Sequence, residues 1–439
     1  MRSMDASSFF KGKKVTLMGL GLLGRGVGDA KFLAENGAEL IVTDRKSKEE
    51  LAPSLEALSS YTTIRYTLGE HRLEDFRGRD FVFYGPKTPL DSPFLAEARK
   101  QSAHTTMSTA FFAAHAGIPI VGVTGTRGKT TTTELIAHVL QKTGHSVLKG
   151  GNLRGISTLS LFPEVTKEAI AVLELDSWQL QGFRDERTSP HIAVFTNLMP
   201  DHLDYYPNME SYFADKANIF SFQKQGDALI TGKAVYDSWI KNAQPPVTPR
   251  TPEPLEDDWK LLLLGRHNRD NAALAREALR SLSISDDEVR THFSTFAPLE
   301  GRLQEVRVVN GIRIINDNNA TTPTATAAAL ASVVGEGHRT ILIVGGSDKN
   351  LPLTVLSDMI RELVSFTVLL PGTGTDRLLK KLDGISVARA ESVAEALTLV
   401  MQNAMPGDVV LFSPGFASFG LFANEYDRND RFVAAVQKL

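Results

Sequence analysis

The segment from Thr124 to Thr131 constrains the fold of this chain more than any other part of its sequence. It reads Thr-Gly-Thr-Arg-Gly-Lys-Thr-Thr, follows the apolar run Ile118 to Val123, and precedes a predicted helix from Thr132 to Lys142. Glycines and small residues between a strand and a helix let backbone N–H groups point at phosphate oxygens, and the helix adds its positive end. The sequence therefore predicts a phosphate-binding loop at the carboxyl end of a parallel strand.

Individual side chains of this loop suit the phosphates of ATP and a Mg²⁺ ion. Lys129 is expected to neutralise the β and γ phosphates, and a threonine hydroxyl is expected to reach the metal. A strict pattern has glycine at Val123, whereas the extra glycine here is Gly125. An incidental glycine-rich turn is the alternative, but strand, loop and helix occur in the order that binding requires. The predicted ATP-binding residues of the loop are Gly125, Thr126, Arg127, Gly128, Lys129, Thr130 and Thr131.

Alternating strand and helix patterns divide the 439 residues into three blocks. We predict an α/β protein with a Rossmann-like domain at 1–117, a central ATPase-like parallel-sheet domain at 118–298, and a Rossmann-like α/β domain at 299–439. Asn310-Gly311 between two β-rich runs predicts a hairpin. The proline-rich stretch from Gln244 to Asp258 predicts a surface excursion.

Composition excludes several classes of function. The net charge of -3 provides no basic field for nucleic acid, and the absence of cysteine excludes disulfides, thiolate catalysis and cysteine-based metal sites. No apolar run approaches the roughly 18 residues that cross a membrane. We therefore expect a cytoplasmic protein. We further expect a monomer that acts on small molecules.

The first block carries a second glycine turn. Gly19-Leu-Gly21-Leu-Leu-Gly24 follows the predicted strand Lys14 to Met18, and Asp44 ends the next strand. This layout is typical of a dinucleotide fold, in which the turn faces a pyrophosphate and the acid contacts ribose hydroxyls. A purely structural turn and a nicotinamide dehydrogenase are alternatives at this point.

Two further side chains are predicted to join the phosphate loop. Glu174 ends the apolar strand Ala169 to Leu175, and His202 lies just past the strand Ile192 to Asn197. The carboxyl ends of parallel strands share one edge of a sheet, so these side chains are expected to converge. Together they suit a divalent cation that bridges a phosphate and a second substrate.

Lys216 lies in a predicted helix from Ser211 to Phe222. Aromatic and aliphatic residues flank it on one face, and the desolvation they cause lowers the pKa of an ammonium group. A neutral amine reacts with CO₂ to form a carbamate, a short carboxylate that is suited to Mg²⁺. A lysine that extends its ammonium to solvent is the alternative. The flanking residues are Tyr212, Phe213, Ile219 and Phe220.

Asn268 and Asn271 share a face near the start of a helix predicted from about Asn268 to Ser281. Spacing alone leaves open whether they bind adenine or ribose or cap the helix.

These pieces, in this order, resemble the Mur ligase family, which also includes the folylpolyglutamate synthetases. The resemblance covers essentially the whole chain. Three segments, Gly19 to Leu22 with Asp44, Leu175 to Leu180 and Ser413 to Phe419, resemble the members that add D-glutamate to UDP-N-acetylmuramoyl-L-alanine. The other matching segments are 124–130, Gly151-Asn152, Glu174, Asp201-His202, Lys216, Gly265 to Asn268, Asn271, Gly301-Arg302, Asn316-Asp317 and Gly345 to Lys349.

The resemblance implies an ATP- and Mg²⁺-dependent amide ligase of peptidoglycan precursor synthesis that works through an acyl phosphate, with UDP-muramoyl-alanine and D-glutamate as substrates. It implies that Lys129, Glu174, His202 and a carbamylated Lys216 are catalytic, and that the last three bind metal with Thr130. It further places the nucleotide at His267, Asn268, Asn271, Arg302 and Asp317, the acceptor at Asn152, its uridine at Gly21 and Asp44, and the amino acid's carboxylates at Thr321, Lys349, Ser418 and Phe419.

Several residues depart from the family pattern. They leave two alternatives open, a Mur-type ligase for another amino acid and a nucleotide-binding regulator without catalysis. The missing lysine of an Asp-Ser-Lys segment removes one cation near the acyl phosphate. The departures are Gly301 for histidine, Asn318-Asn319 for Ser-Lys, Asp176 for serine, Lys87 for glycine, Gly420 for aspartate and Glu425 for an aromatic residue.

Overall fold

Three β-sheets follow one another along the chain in this computed structural model, which describes residues 4–89, 91–203, 205–335 and 338–439. Helices alternate with the strands throughout, so the predicted α/β class is confirmed. Each predicted domain holds one sheet, and the exact boundaries at 117 and 298 stay predictions. Within the described ranges, no helix has the length and apolar character needed to span a membrane.

The first sheet is parallel and has five strands: β1 (Lys14–Met18), β2 (Glu39–Asp44), β3 (Arg65–Leu68), β4 (Phe81–Tyr84) and β5 (His104–Thr106). Their order is β3-β2-β1-β4-β5, so the direction of winding reverses between β1 and β4. Open α/β sheets bind ligands in the crevice at such a reversal. The helices are α1 (Ala6–Phe10), α2 (Arg25–Glu35), α3 (Ala52–Glu56), α4 (Pro93–Lys100) and α5 (Ser108–His115), with a 3₁₀ turn at Leu73–Phe76.

The second sheet is parallel and has six strands: β6 (Ile120–Thr124), β7 (Ser146–Gly151), β8 (Ala169–Glu174), β9 (Ile192–Phe195), β10 (Ala228–Thr231) and β11 (Pro249–Arg250). Their order is β11-β10-β9-β6-β8-β7, and every residue of β6, β8, β9 and β10 is buried. Burial on both faces explains their continuous apolar runs. The helices are α6 (Lys129–Lys142), α7 (Ser177–Asp185), α8 (Met209–Ala217), α9 (Lys233–Ser238), α10 (Arg266–Arg280) and α11 (Asp286–Phe293), with 3₁₀ turns at Leu159–Glu164 and Ile240–Asn242.

The third sheet is mixed and has six strands: β12 (Gln304–Val309), β13 (Ile312–Asn316), β14 (Thr340–Gly345), β15 (Val364–Leu370), β16 (Val387–Arg389) and β17 (Val409–Phe412). Their order is β12-β13-β17-β14-β15-β16. β12 and β13 form the predicted antiparallel hairpin, in which Asn310 and Gly311 have φ of 51° and 79°, as a tight hairpin turn requires. The helices are α12 (Pro323–Val333), α13 (Thr354–Leu363), α14 (Thr373–Leu379), α15 (Val393–Asn403) and α16 (Glu425–Val436).

The chain packs as two compact units. Residues 1–256 and 270–293 form the first, which contains the first two sheets, and residues 257–269 and 294–439 form the second. Inside the first unit one apolar core joins both sheets, and the ring of Phe32 on α2 stacks on Phe162, which precedes β8.

Two predicted elements differ from the structure. The helix expected from 211 to 222 ends at Ala217. The Asn218 side chain donates to the carbonyl of Asp215, and the N–H groups of Ile219 and Phe220 donate to carbonyls three residues earlier instead of four. The excursion from 244 to 258 is mostly exposed, but Pro249–Arg250 pairs with β10 as a short edge strand. Proline is tolerated in an edge strand because the side of the strand that faces solvent does not need an N–H group to pair with a neighbour.

Asp29 of α2 joins the parts of the first unit that carry the two sheets. Its carboxylate accepts hydrogen bonds from the hydroxyls of Ser108 (2.6 Å) and Ser157 (2.5 Å). Burial raises the pKa of this carboxyl from 3.8 to about 6, although both hydrogen bonds oppose the shift. The folded chain therefore keeps the Asp29 proton to a higher pH than the unfolded chain does.

We expect Asp29→Asn to stabilise the protein at neutral pH. Between pH 3.8 and about 6 the folded wild type binds more protons than the unfolded chain, so its stability falls as the pH rises through this window. The shift corresponds to an upper limit of about 3 kcal/mol. Urea unfolding at several pH values measures the difference between variant and wild type. A difference that does not grow from pH 4 to pH 7 would contradict the assignment.

Candidate active site

The predicted phosphate loop connects β6 to α6, as expected. The helix begins at Lys129, directly after Gly128, whose φ of 83° is left-handed. The Lys129 ammonium donates to the carbonyls of Gly125 (3.1 Å) and Thr126 (3.2 Å), which holds the side chain over its own loop. Thr131 is buried and Thr130 is half-buried, so Thr130 is the more accessible of the two predicted metal-binding hydroxyls.

Residues after β9 anchor the loop, and two of them, Thr196 and Asn197, are not among the predicted site residues. The Asn197 carbonyl accepts from the Thr126 N–H (2.9 Å), and its amide oxygen accepts from the Arg127 N–H (2.9 Å). The Thr196 hydroxyl donates to the Arg127 carbonyl (2.5 Å), and the Arg127 guanidinium pairs with Asp201 (3.2 Å). Asn197 lies two residues past the apolar strand β9, and its position at that strand's carboxyl end is the only signal it carries in the sequence.

Gly128 lies against Asn271, and a side chain at position 128 has no room. A Cβ atom there would approach the Asn271 amide oxygen to 2.2 Å. Gly144, just beyond the other end of α6, has almost the same φ, 85°, but no atom within 4 Å of its Cβ position.

We expect Gly128→Ala to weaken ATP binding at least about tenfold and Gly144→Ala to leave it unchanged, because only the former displaces the loop. The two substitutions share the backbone cost of a left-handed alanine, about 1 kcal/mol. Calorimetric titration with ATP separates the steric effect from that shared cost. Equal affinities in the two variants would show that the contact with Asn271 does not shape the loop.

The predicted convergence at the edge of the second sheet is confirmed by the strand order. β8 and β9 flank β6, so Glu174 and the segment after β9 lie beside the loop. Glu174 is 4% exposed, and its Oε2 atom has no hydrogen-bond partner among the described residues. Asp176, two residues on, caps α7 through a reciprocal pair of hydrogen bonds with Gln179.

Lys216 is buried, as predicted, with 1% exposure. Its ammonium donates to the carbonyl of Gly125 (3.0 Å) and lies 4.8 Å from the centre of the Tyr212 ring. Burial lowers the pKa of Lys216 well below its usual 10.5, and the charge of Lys129 lowers it further, while Asp176, Asp201 and Glu174 oppose the shift. The amine thus lies within electrostatic reach of the loop lysine and of Glu174, in a setting that favours its neutral form.

His202 lies at the same edge. Its φ of 57° is left-handed, and backbone strain of this kind in a residue other than glycine is concentrated at functional sites. Its ring packs on Trp178 at 4.6 Å and on Tyr212 at 6.0 Å, and its side chain is 36% exposed. Trp178 and Tyr212 therefore position the imidazole, and Tyr212 also contacts the Lys216 ammonium.

The residues at this edge fit a Mg²⁺ ion. In the described ranges no group of three histidine or acidic side chains suits a metal, so Glu174 and His202 need a ligand of another type. The unpartnered, buried Oε2 of Glu174 is a donor that a cation satisfies. The Thr130 hydroxyl and a carbamylated Lys216 would supply the further oxygen ligands that Mg²⁺ prefers.

Asn152, the predicted acceptor contact, follows β7 at this edge. Its N–H donates to the Glu174 carbonyl (2.7 Å), and its side-chain oxygen accepts from Arg25 of α2 (3.3 Å). Gly151 before it has φ of 87°, and a Cβ atom there would lie 2.1 Å from the Glu174 carbonyl oxygen. The close approach of the two strands sets Asn152 beside Glu174.

Gly21 and Asp44 come together, but through a contact that the sequence did not predict. Oδ2 of Asp44 accepts from the N–H groups of Leu20 (2.8 Å) and Gly21 (2.9 Å), and Oδ1 accepts from that of Lys46 (2.9 Å). The carboxylate therefore holds the glycine turn and occupies amides that a dinucleotide pyrophosphate would need. This geometry speaks against a nicotinamide dehydrogenase.

The predicted nucleotide residues around α10 divide between the compact units. His267 and Asn268 belong to the second, where the Asn268 side chain donates to the Leu264 carbonyl (2.8 Å). Asn271 belongs to the first, where it lies against Gly128 of the phosphate loop. Within the first unit, Asn271 is therefore at the loop, as predicted for a nucleotide contact.

The second unit brings together part of the predicted amino-acid site. The Lys349 ammonium lies 3.5 Å from the Thr321 hydroxyl, and the Ser347 hydroxyl donates to the Phe419 carbonyl. Phe419 is 66% exposed, whereas Ser418 is buried.

Asp317, predicted to meet the nucleotide, is held inside the second unit. Its carboxylate accepts from the Ser413 hydroxyl (2.9 Å) and from the N–H of Leu303 (3.3 Å), the neighbour of Arg302. Asp317 therefore orients the segment that carries Arg302.

Two of the departures from the family pattern are neighbours in space. A Cβ atom on Gly301 would lie 2.9 Å from the side-chain nitrogen of Asn319, and Gly301 itself has φ of 68°. The Asn319 side chain donates to the Glu300 carbonyl (3.2 Å). Glycine at 301 and asparagine at 319 therefore fit each other sterically.

Comparison with known proteins gives two family matches. Residues 123–249 match the Mur ligase middle domain, and residues 301–416 match the Mur ligase glutamate ligase domain. The chain is 36% identical, over 97% of its length and 98% of the relative's, to UDP-N-acetylmuramoylalanine–D-glutamate ligase of Roseiflexus sp. (strain RS-1). It is 33% identical to the protein of the same name from Borreliella burgdorferi (strain ZS7), over 96% and 97% of the two chains.

Solved structures share the fold. UDP-N-acetylmuramate-alanine ligase of Thermotoga maritima superposes with a TM-score of 0.63 at 21% identity, over 97% of this chain and 99% of the other. The MurF ligase of Thermotoga maritima, solved in complex with ADP, gives 0.62 at 17% identity, over 98% and 97%. At these identities the likeness concerns the fold alone.

Proposed function

This chain belongs to the Mur ligase family, and on that premise we propose that it is the ATP-dependent ligase that joins D-glutamate to UDP-N-acetylmuramoyl-L-alanine in peptidoglycan precursor synthesis. The observation that carries the proposal is the edge of the second sheet. There the phosphate loop lies beside Glu174, whose buried Oε2 atom has no hydrogen-bond partner among the described residues, and beside Lys216, whose pKa burial lowers well below its usual 10.5. Phosphoryl transfer needs a loop that cradles the phosphates and side chains that hold the metal beside them.

The reaction has two steps. The acceptor's carboxylate oxygen attacks the γ-phosphorus of ATP, which forms an acyl phosphate and releases ADP. The deprotonated amine of D-glutamate then attacks the acyl carbon, and inorganic phosphate leaves. Activation is needed because an amine does not displace oxide from a free carboxylate at a useful rate.

The chain's own residues bind and orient the reactants. Lys129 and the amino end of α6 balance the charge of the transferred phosphate, and Asn152 orients the acceptor beside Glu174. Glu174, His202, Thr130 and a carbamylated Lys216 would hold Mg²⁺, which supplies further charge neutralisation when bound.

In the second unit Lys349 and Thr321 would bind a carboxylate of the incoming amino acid, next to Ser418 and Phe419. Their 3.5 Å separation suits one anionic group that contacts both.

The test is phosphate release across a panel of acceptors and amino acids. We expect release that requires both UDP-N-acetylmuramoyl-L-alanine and D-glutamate, with the amide product identified by its mass. Turnover with a different amino acid would assign the chain to another specificity. ATP binding without acceptor-dependent release would support a regulator.

A further inference from the structure

Lys87 stands at a position that normally requires glycine. It follows β4 in the segment Gly85-Pro86-Lys87, and its φ of 68° is left-handed. Any residue with a Cβ atom is strained there, and such strain is concentrated where a side chain has a function. The place is the carboxyl edge of the first sheet, beside the reversal of winding between β1 and β4.

The Lys87 ammonium is directed toward the catalytic edge of the second sheet, within the same compact unit. It lies 4.7 Å from the centre of the Trp178 ring, whose other neighbours include His202 at 4.6 Å. Lys87 itself is exposed. A cation over an aromatic ring at an exposed site is weakly held, so it can exchange the ring for an anion.

The glycine turn after β1 creates a need for such a cation. Two of its backbone N–H groups already donate to the Asp44 carboxylate, which adds a negative charge of its own. A diphosphate bound at this reversal therefore requires side chains to balance its charge. Lys87 follows β4, the neighbour of β1, and its ammonium lies over the ring of Trp178 on α7, which follows β8 of the second sheet.

We propose that Lys87 is a specificity-determining residue that binds the diphosphate of the nucleotide-sugar acceptor, an inference that rests on the proposed function. The diphosphate lies between the uridine and the reacting end of the acceptor, and the Lys87 side chain extends from the end of β4 in the first sheet to Trp178 beside the second. Binding energy from this contact favours diphosphate-linked acceptors over neutral analogues.

The test compares UDP with uridine by calorimetric titration, with a non-hydrolysable ATP analogue and Mg²⁺ present to occupy the phosphate loop. We expect Lys87→Gln to weaken UDP binding about five- to tenfold and to leave uridine binding unchanged. Lys87→Arg should keep most of the affinity for UDP. Lys100→Gln, an exposed lysine on α4, is the control and should behave as wild type.

The variant Lys87→Gly distinguishes a loss of UDP binding from a loss of stability. It removes the backbone strain, so thermal stability should not fall, while UDP affinity should drop as in Lys87→Gln. Equal weakening of UDP and uridine would mean that Lys87 only tethers the two edges through Trp178, and an unchanged UDP affinity would also overturn the inference. A wild type that binds no UDP would remove the acceptor assignment itself, and this inference with it.

Discussion

Replacing Lys129 by alanine is expected to lower acceptor-dependent phosphate release about a thousandfold, which corresponds to about 4 kcal/mol of transition-state stabilisation. The ammonium is held over the loop by the Gly125 and Thr126 carbonyls, so its charge is positioned before ATP arrives. Charge that is already positioned costs no reorganisation during phosphate transfer. Alanine is the best helix former, so α6 should still begin at residue 129.

The control for this variant is Lys142→Ala, an exposed lysine in the last turn of the same helix. It changes the same residue type on the same element at a distance from the loop. Steady-state phosphate release with both co-substrates measures the effect. A loss of less than about tenfold in Lys129→Ala would show that another group balances the transferred charge.

Lys216→Ala is expected to lower activity by a similar factor, about a thousandfold, and short carboxylic acids are expected to restore part of it. The reason is the proposed carbamate, which forms when the neutral amine adds to the carbon of CO₂ and releases one proton. Acetate or formate in the space that the shortened side chain leaves would supply the missing carboxylate. Lys224→Ala, an exposed lysine after α8, should keep full activity without any added acid.

Lys216 should lower the stability of the fold, although it is needed for activity. The unfolded chain binds the Lys216 proton up to pH 10.5, whereas the folded chain loses it at a lower pH. In CO₂-free buffer, wild-type stability should therefore rise with pH between the lowered pKa and 10.5. Lys216→Met removes this dependence and should unfold at a higher temperature than wild type at pH 7. A methionine variant that is inactive and less stable than wild type would falsify the inference that the buried Lys216 amine destabilises the fold.

Much of the site was predictable because its signals are local. The loop from 124 to 131 combines glycine, lysine and threonine between a strand and a helix, and that order suffices for phosphate binding. Glu174 ends one apolar strand and His202 follows another, so strand polarity places both at the loop's edge of the sheet, and the strand order then sets β8 and β9 on either side of β6. The desolvation of Lys216 was predicted from its neighbours although the helix ends five residues earlier than expected.

Other features were not predictable, because they join residues that are distant in the chain. The Asn197 side chain accepts a hydrogen bond from the Arg127 N–H group, 70 residues away in the chain, and neither residue type predicts that pairing. Asp44 has the spacing of a ribose ligand, yet in the folded chain its carboxylate is satisfied by the amides of Leu20 and Gly21. Spacing indicates where a carboxylate lies, whereas its partners depend on which N–H groups the turn directs at it.

The sequence by itself determined the α/β class, the phosphate loop and the group of residues at its edge, since local composition and strand polarity control these features. Only the tertiary structure decided how the residues are used. In the folded chain Asp44 accepts hydrogen bonds from the glycine turn, Asn271 packs against Gly128, and the Lys87 ammonium lies over the Trp178 ring. The physical reason is that burial and hydrogen-bond partners arise from contacts between distant segments, and these contacts exist only once the sheets have assembled.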